Sequence, residues 1–246
     1  MTSQKIFVDT NILFAYCQDP KMEFYGEEVR NFIHEIKKEK LECCRTKSVS
    51  EEFDKVKRER YDTLTDSVRL HMKEEISNMK NSKNKSPLLF TEELFTILRE
   101  KRYQQEKGRE RKRELELLEA TIISLLKKHE KIDPYSLLNI LLDRTIRINE
   151  EIGLRYAELC RVFEEKDCKS EKIKKELEES FEFKKDDYDA KHLSSAIEWG
   201  NTNDRKIVFV TTDGAHILPK RRTIEEKYPI IGITSPFYVL QRIKTS

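Results

Sequence analysis

The sequence predicts an α/β protein with a central, mostly parallel sheet and an all-α insertion. Short β-prone apolar runs at both ends of the chain alternate with segments of helical periodicity, which is typical of parallel strands joined by crossover helices. Glycine and proline occur only four times between residues 27 and 199, at Pro87, Gly108, Pro134 and Gly153. This scarcity favours helix over sheet throughout the middle of the chain.

The pattern in the first part of the chain predicts two strands and two helices. We expect a strand at about residues 5–9, a helix at about 22–39 and a second strand at about 41–46. A further helix should begin near Ser48 or Ser50, because a serine followed by a glutamate offers capping chemistry at a helix start.

The middle and the end of the chain continue this alternation. Leucines and isoleucines repeat at helical spacing over residues 115–126, which predicts a helical core there. A helix at about 189–200 precedes a strand at 206–211. A final strand follows at 229–234, and Pro236 opens the last helix.

Composition excludes some classes of protein and leaves others open. Charged residues make up 38% of the 246 residues and hydrophobic residues 37%, with a net charge of +2. Nucleic-acid binding therefore cannot be inferred from total charge and would need local patches. The first residues do not have the basic and apolar pattern of a secretory leader, so we expect none, and no apolar run is long enough to cross a bilayer. Five cysteines without zinc-like spacing indicate reduced thiols, so we expect a cytoplasmic protein.

One local patch is strongly basic. Residues 99–113 hold eight Lys or Arg against three Glu, with Tyr103 among them. A solvated helix face is the simpler interpretation, and contact with nucleic-acid phosphates is the functional one. The basic residues concerned are Arg99, Lys101, Arg102, Lys107, Arg109, Arg111, Lys112 and Arg113.

Four acidic residues stand where an α/β sheet can bring them together. Asp9 follows the first strand, and Asp213 follows the strand that ends near Thr211. Glu52 lies in the first turns of the helix after the second strand, and Asp189 opens a later helix. All four can therefore face the carboxyl edge of the sheet, where ligands bind in such folds.

Clustered carboxylates raise one another's pKa, and a hard dication removes that penalty. Mg²⁺ and Mn²⁺ prefer oxygen ligands. Two such ions would activate a water and stabilise the leaving oxygen in phosphodiester hydrolysis. The competing interpretation is four unrelated caps and surface acids.

Four motifs in order resemble those of PIN-domain nucleases. Residues 7–13 (FVDTNIL) are similar to the opening motif of that family, and residues 189–196 (DAKHLSSA) to its acidic helix. Residues 210–213 (VTTD) match its strand end, and residues 233–240 (ITSPFYVL) its closing segment. The resemblance implies a PIN-like three-layer fold and a ribonuclease with acids around Mg²⁺ or Mn²⁺.

The resemblance also implies roles for individual residues. Asp9 would be the first metal ligand, Asp189 the third acid and Asp213 the fourth, with Asn11 and Thr211 as supporting polar groups.

The second acid is less defined. The sequence around Glu52 resembles the family's helix in which a glutamate precedes an apolar residue, so Glu52 is preferred and Glu51 stays open. Asp187 would substitute for or assist Asp189. His192 would orient Asp189 or touch substrate, or else be a packed structural residue, which is the commoner case.

The chain departs from the simple members of the family in size. Residues 1–54 and 183–246 suffice for a PIN-like domain, and residues 55–182 form a helical insertion outside the resemblance. We expect the insertion to bind RNA, recruit a protein partner, mediate self-association or cap the active site.

The leading functional hypothesis is a metal-dependent endoribonuclease that acts on RNA, with single-stranded DNA as the other candidate substrate. It would serve as a toxin, a defence effector or an RNA-processing factor. The alternative is an inactive PIN-like scaffold that acts through the insertion. A phosphatase with an Asp nucleophile ranks last, because Asn11 stands where that chemistry wants a second Asp.

Overall fold

Five strands and eight helices make up the part of the chain that the computed structural model describes, residues 5–18, 25–39, 41–58, 134–184 and 187–244. The strands are β1 (Lys5–Val8), β2 (Cys43–Thr46), β3 (Glu164–Lys166), β4 (Ile207–Val210) and β5 (Ile231–Thr234). The helices are α1 (Thr10–Cys17), α2 (Gly26–Glu39), α3 (Lys47–Lys57), α4 (Pro134–Val162), α5 (Glu171–Ser180), α6 (Tyr188–Asn203), α7 (Arg221–Lys227) and α8 (Pro236–Lys244). The predicted α/β class is confirmed.

The sheet has the strand order β3-β2-β1-β4-β5, and every pair of neighbours is parallel. The order runs outward from β1 in both directions, so right-handed crossovers place helices on both faces, in keeping with three layers. The direction reverses between β1 and β4. The carboxyl ends of these two strands therefore flank the point where ligands bind in doubly wound sheets.

The central strand is buried on both faces. All four residues of β1 are buried, as expected for a strand covered by helices on either side. Phe7 pairs in register with Cys44 and Phe209, and its ring lies 5.5 Å from that of Trp199 on α6. A core on this side includes residues from α5, α6 and α7, among them Leu177, Ile197 and Ile224.

A second group of helices packs through amphipathic faces. Helix α2 buries Val29, Phe32, Ile33 and Ile36, which fall on one stripe of a 3.6-residue repeat, and it packs against α1 and α8. The Phe53 ring of α3 stacks between Phe14 of α1 and Tyr156 of α4, at centroid distances of 4.2 and 3.7 Å. These contacts fix α3 beside the carboxyl end of β1.

The predicted insertion boundaries differ from the compact units of the structure. One unit comprises Met1–Val56 and Glu151–Ser246, and the other comprises Lys57–Glu150. Residues 151–182, which the sequence assigned to the insertion, join the first unit because β3 pairs with β2 and α5 packs against α6. In the second unit the structure describes residues 134–150 as helix and otherwise only residues 57–58.

Two further predictions concern the cysteines and membrane-spanning segments. All five cysteines are free thiols. Among the described residues, no helix is both long and apolar enough to span a membrane.

Candidate metal centre

Three aspartates meet at the carboxyl edge of the sheet. A carboxylate oxygen of Asp9, one of Asp189 and a ring nitrogen of His192 lie within 4.8 Å of one another. Asp189 also forms a second such group with Asp213 and His216. Asp189 is thus common to both groups and lies at the middle of the cluster.

Asp9 is held in a fixed orientation at the end of β1. Its Oδ1 accepts a hydrogen bond from the Thr10 backbone N–H at 2.7 Å, as a helix cap does, and one from His192 Nδ1 at 3.0 Å. Its Oδ2 accepts from Thr211 Oγ1 at 2.7 Å and from Asn11 Nδ2 at 2.9 Å. Four donors therefore fix a carboxylate whose residue is only 2% exposed.

Asn11 and Thr211 tie the ends of β1 and β4 together. Asn11 accepts a hydrogen bond from the Thr212 backbone N–H at 3.2 Å and donates to Thr211 Oγ1 at 3.1 Å. The same hydroxyl accepts from the Asp213 backbone N–H at 2.9 Å. The structure thus brings both predicted supporting residues into the cluster, where they position Asp9 and Asp213 relative to each other.

His192 is entirely buried between two carboxylates. Its Nε2 lies 3.5 Å from Oε2 of Glu52 and makes no hydrogen bond to any residue that the structure describes. Burial alone would lower the pKa of His192, but the hydrogen bond to Asp9 and the charges of Asp9, Glu52 and Asp189 outweigh burial and raise the pKa. The histidine is packed, as the commoner interpretation expects, yet it contacts Asp9 in a hydrogen bond rather than Asp189.

Glu52, and not Glu51, points toward this cluster. Helix α3 carries Glu52 beside His192, whereas Glu51 is exposed. Burial raises the pKa of Glu52, and the negative charges of Asp9 and Asp187 add to the effect, against the attraction of His192.

Asp189 is the least satisfied carboxylate of the group. Burial is the largest cause that raises its pKa to about 8, the charges of Asp9, Asp187 and Asp213 contribute to this increase, and the opposing charge of His192 does not offset them. Within the described part of the chain its carboxylate accepts no hydrogen bond, and its nearest basic group is His216 Nδ1 at 3.7 Å. A carboxyl in this position gains from a nearby cation.

Asp213 begins a tight turn after β4. Its Oδ1 accepts from the backbone N–H groups of Ala215 and His216 at 2.8 and 2.9 Å, and its Oδ2 lies 3.3 Å from His216 Nδ1. The His216 side chain is 57% exposed, so this imidazole sits at the solvent side of the cluster.

Most of the predicted site residues lie in or beside this cluster, and one predicted set lies outside the described residues. Asp187 precedes α6 and acts on Glu52 and Asp189 through its charge. The predicted nucleic-acid contacts lie outside the described residues: Arg99, Lys101, Arg102, Lys107, Arg109, Arg111, Lys112 and Arg113.

The sequence motifs do not predict two histidine contacts, that of His192 with Asp9 and that of His216 with Asp213. The spacing of His192 to Asp189 on one helix suggested a partner on its own element, while the true partner is 183 residues away. His216 had no motif support, although its spacing of three residues from Asp213 is a signal for a turn contact.

The donor set fits a hard divalent cation. Carboxylate oxygens of Asp9, Asp189 and Asp213 are the ligand type that Mg²⁺ and Mn²⁺ prefer, and His216 adds a nitrogen at the rim. The raised pKa of Asp189 shows that negative charge at this carboxyl is poorly compensated by its neighbours.

Comparison of the chain with models of known protein families, with curated proteins and with solved structures found no match. The resemblance to PIN-domain nucleases therefore stays a prediction that rests on the four sequence motifs.

Proposed function

We propose that the protein is a metal-dependent endonuclease that hydrolyses phosphodiester bonds in RNA. The observation that carries the proposal is the position of Asp189, a half-buried carboxyl with a pKa raised to about 8 among other carboxylates, at the carboxyl edge of a parallel sheet. Perturbed carboxyls of this kind concentrate at functional sites.

Asp9, Asp189 and Asp213 would hold the cation, Mg²⁺ or Mn²⁺, with Glu52 next to them across His192. When bound, a divalent cation supplies positive charge at the phosphate and lowers the pKa of a water molecule. Asn11 and Thr211 keep Asp9 and Asp213 at a fixed separation, so little reorganisation is needed when substrate arrives.

RNA is the first substrate to test because the motif resemblance points to ribonucleases, and single-stranded DNA is the second. Toxin, defence and RNA-processing roles are all compatible with this chemistry. The predicted insertion is the natural candidate for contacts with a partner protein or with a second copy of the chain.

The test is cleavage of single-stranded RNA by the purified protein in Mn²⁺, in Mg²⁺ and in EDTA. We expect cleavage with either cation, none in EDTA, and loss of cleavage in Asp9→Asn and Asp189→Asn. Asp204→Asn is the matched control, because Asp204 ends α6 at the opposite edge of the sheet and its left-handed backbone (φ 48°) tolerates asparagine. RNA binding without cleavage in Mn²⁺ would favour the scaffold alternative.

A further inference from the structure

Two lysines converge on one tyrosine ring beside the carboxylates. The Lys191 Nζ lies 4.7 Å from the ring centroid of Tyr188, and the Lys55 Nζ lies 5.5 Å from the same centroid. Both distances fall within the range of cation–π attraction. The ring therefore holds two ammonium groups that come from different helices, α3 and α6.

Neither lysine forms an ion pair with an acid in the described part of the chain. In the described ranges no carboxylate lies within 4.0 Å of either ammonium group. Lys55 is exposed and Lys191 is half-buried, so an anion from solvent can reach both. Two like charges held near one ring repel each other, and a bound anion relieves that repulsion.

The lysines flank the carboxylate cluster in both sequence and space. Tyr188 directly precedes Asp189, and its ring centroid lies 6.0 Å from that of His192. Lys55 follows Glu52 by three residues, which places both on one face of α3. Lys191 likewise follows Tyr188 by three residues on α6. Lys55 thus lies within one helical turn of Glu52, and Lys191 within one helical turn of Asp189.

A cluster of acids repels a polynucleotide, so a nuclease needs cationic groups that hold the chain near the cluster. A cation in the centre can engage only the phosphate that reacts. The neighbouring phosphates need protein contacts, and lysine is a common ligand for them.

We propose that Lys55 and Lys191 form a subsite for a backbone phosphate adjacent to the phosphate that is cleaved, with Tyr188 holding the two ammonium groups in place. The subsite rests on the proposed function, since it assigns where the substrate of that same centre lies. It recognises the phosphate and no base, so it serves RNA and DNA alike.

The experiment compares the wild type with Lys55→Ala/Lys191→Ala on two substrates in Mn²⁺. One substrate is a short single-stranded RNA, assayed beside the single-stranded DNA of the same sequence, and the other is bis(p-nitrophenyl) phosphate, which has a single phosphate. We expect the KM for RNA to rise about tenfold, since a hydrogen bond to a charged group contributes about 1.5 kcal/mol or more. Hydrolysis of the small diester should not change. The slope of log affinity against log salt should fall by about 1.

Two variants serve as controls. Lys38→Ala/Lys206→Ala removes two charges at the amino edge of the sheet, before β2 and β4, and should leave the KM for RNA unchanged. Lys55→Arg/Lys191→Arg keeps the charges and should retain most of the affinity.

Three results would overturn the subsite. The first is an unchanged KM and salt slope in the alanine pair. The second is an equal loss on the small diester, which would mean that the lysines only compensate the carboxylates. The third is a loss confined to RNA and absent with DNA, which would mean a contact to the 2′-hydroxyl instead of a phosphate.

A binding measurement separates this proposal from the proposed function. RNA binding is measured by fluorescence anisotropy in the Asp189→Asn background, where cleavage is not required. If the wild type cleaves neither substrate, the nuclease proposal fails, yet loss of binding in the added alanine pair would still support the phosphate subsite. Unchanged binding in that background would refute the subsite alone.

Discussion

His192 donates a hydrogen bond from Nδ1 to Oδ1 of Asp9 across 3.0 Å, although the two residues are 183 positions apart. With its Nε2 facing Glu52, the imidazole joins the acid at the end of β1 to the acid on α3. Its raised pKa means that it carries positive charge between these carboxylates more readily than a free histidine. His192 therefore supplies positive charge between Asp9 and Glu52.

Replacing this histidine should separate its structural role from its electrostatic role. His192→Ala leaves Asp9 and Glu52 without a cation in a buried site, so we expect a loss of about 3–5 kcal/mol in the free energy of unfolding. Because the carboxylates then depend on an external cation, Mn²⁺ should raise the Tm of the variant more than that of the wild type. Thermal unfolding in EDTA and in Mn²⁺ measures both effects. An equal Mn²⁺ shift in the two proteins would contradict the electrostatic role.

The pKa of Asp189 makes stability depend on pH. From about pH 4 to about pH 8 the folded protein keeps the Asp189 proton that the unfolded chain has lost, so raising the pH favours unfolding. The raised pKa values of Glu52 and His192 act in the same direction.

We therefore expect the metal-free protein to be more stable near pH 5 than near pH 8, with a smaller difference in Asp189→Asn. Urea unfolding at a series of pH values in EDTA measures it. Asp204→Asn, which is exposed at the other edge, should keep the wild-type slope. Stability that increases over this window would refute the assignment.

Thr211 should contribute more to the free energy of unfolding than its small side chain suggests. Its hydroxyl donates to Asp9 and accepts from Asn11 Nδ2 and from the Asp213 backbone N–H, and its residue is fully buried. Thr211→Val keeps the shape and removes all three hydrogen bonds, so we expect a cost of about 1–3 kcal/mol in the free energy of unfolding. Thr212→Val is the matched control, because the backbone N–H of Thr212, not its hydroxyl, makes the contact to Asn11. Urea midpoints that shift equally in both variants would show that the hydroxyl of Thr211 has no special role.

The two neighbouring glutamates of α3 offer a direct comparison. Glu52→Gln changes the partner of His192 and should lower the proposed nuclease activity by about 10- to 100-fold, as expected for a group that supports a proposed metal ligand. Glu51→Gln changes an exposed side chain and should have little effect. Initial rates of RNA cleavage in Mn²⁺ measure both, and a greater loss in Glu51→Gln would reverse the assignment.

The sequence by itself determined the α/β class and the approach of the acids to one edge. Apolar runs before Asp9 and Asp213 predict parallel strands, and the carboxyl ends of parallel strands share an edge whatever the length of the insertion between them. The distribution of glycine and proline likewise indicated where strands give way to helices.

The tertiary structure alone decided which side chains meet. The strand β3 is three residues long and polar, so only its pairing with β2 identifies it. The contact of His192 with Asp9, the choice of Glu52 over Glu51, and the convergence of Lys55 and Lys191 on Tyr188 depend on how α3 and α6 are rotated about their axes. That rotation is set by long-range packing, such as Phe53 against Phe14 and Tyr156, which local sequence patterns do not encode.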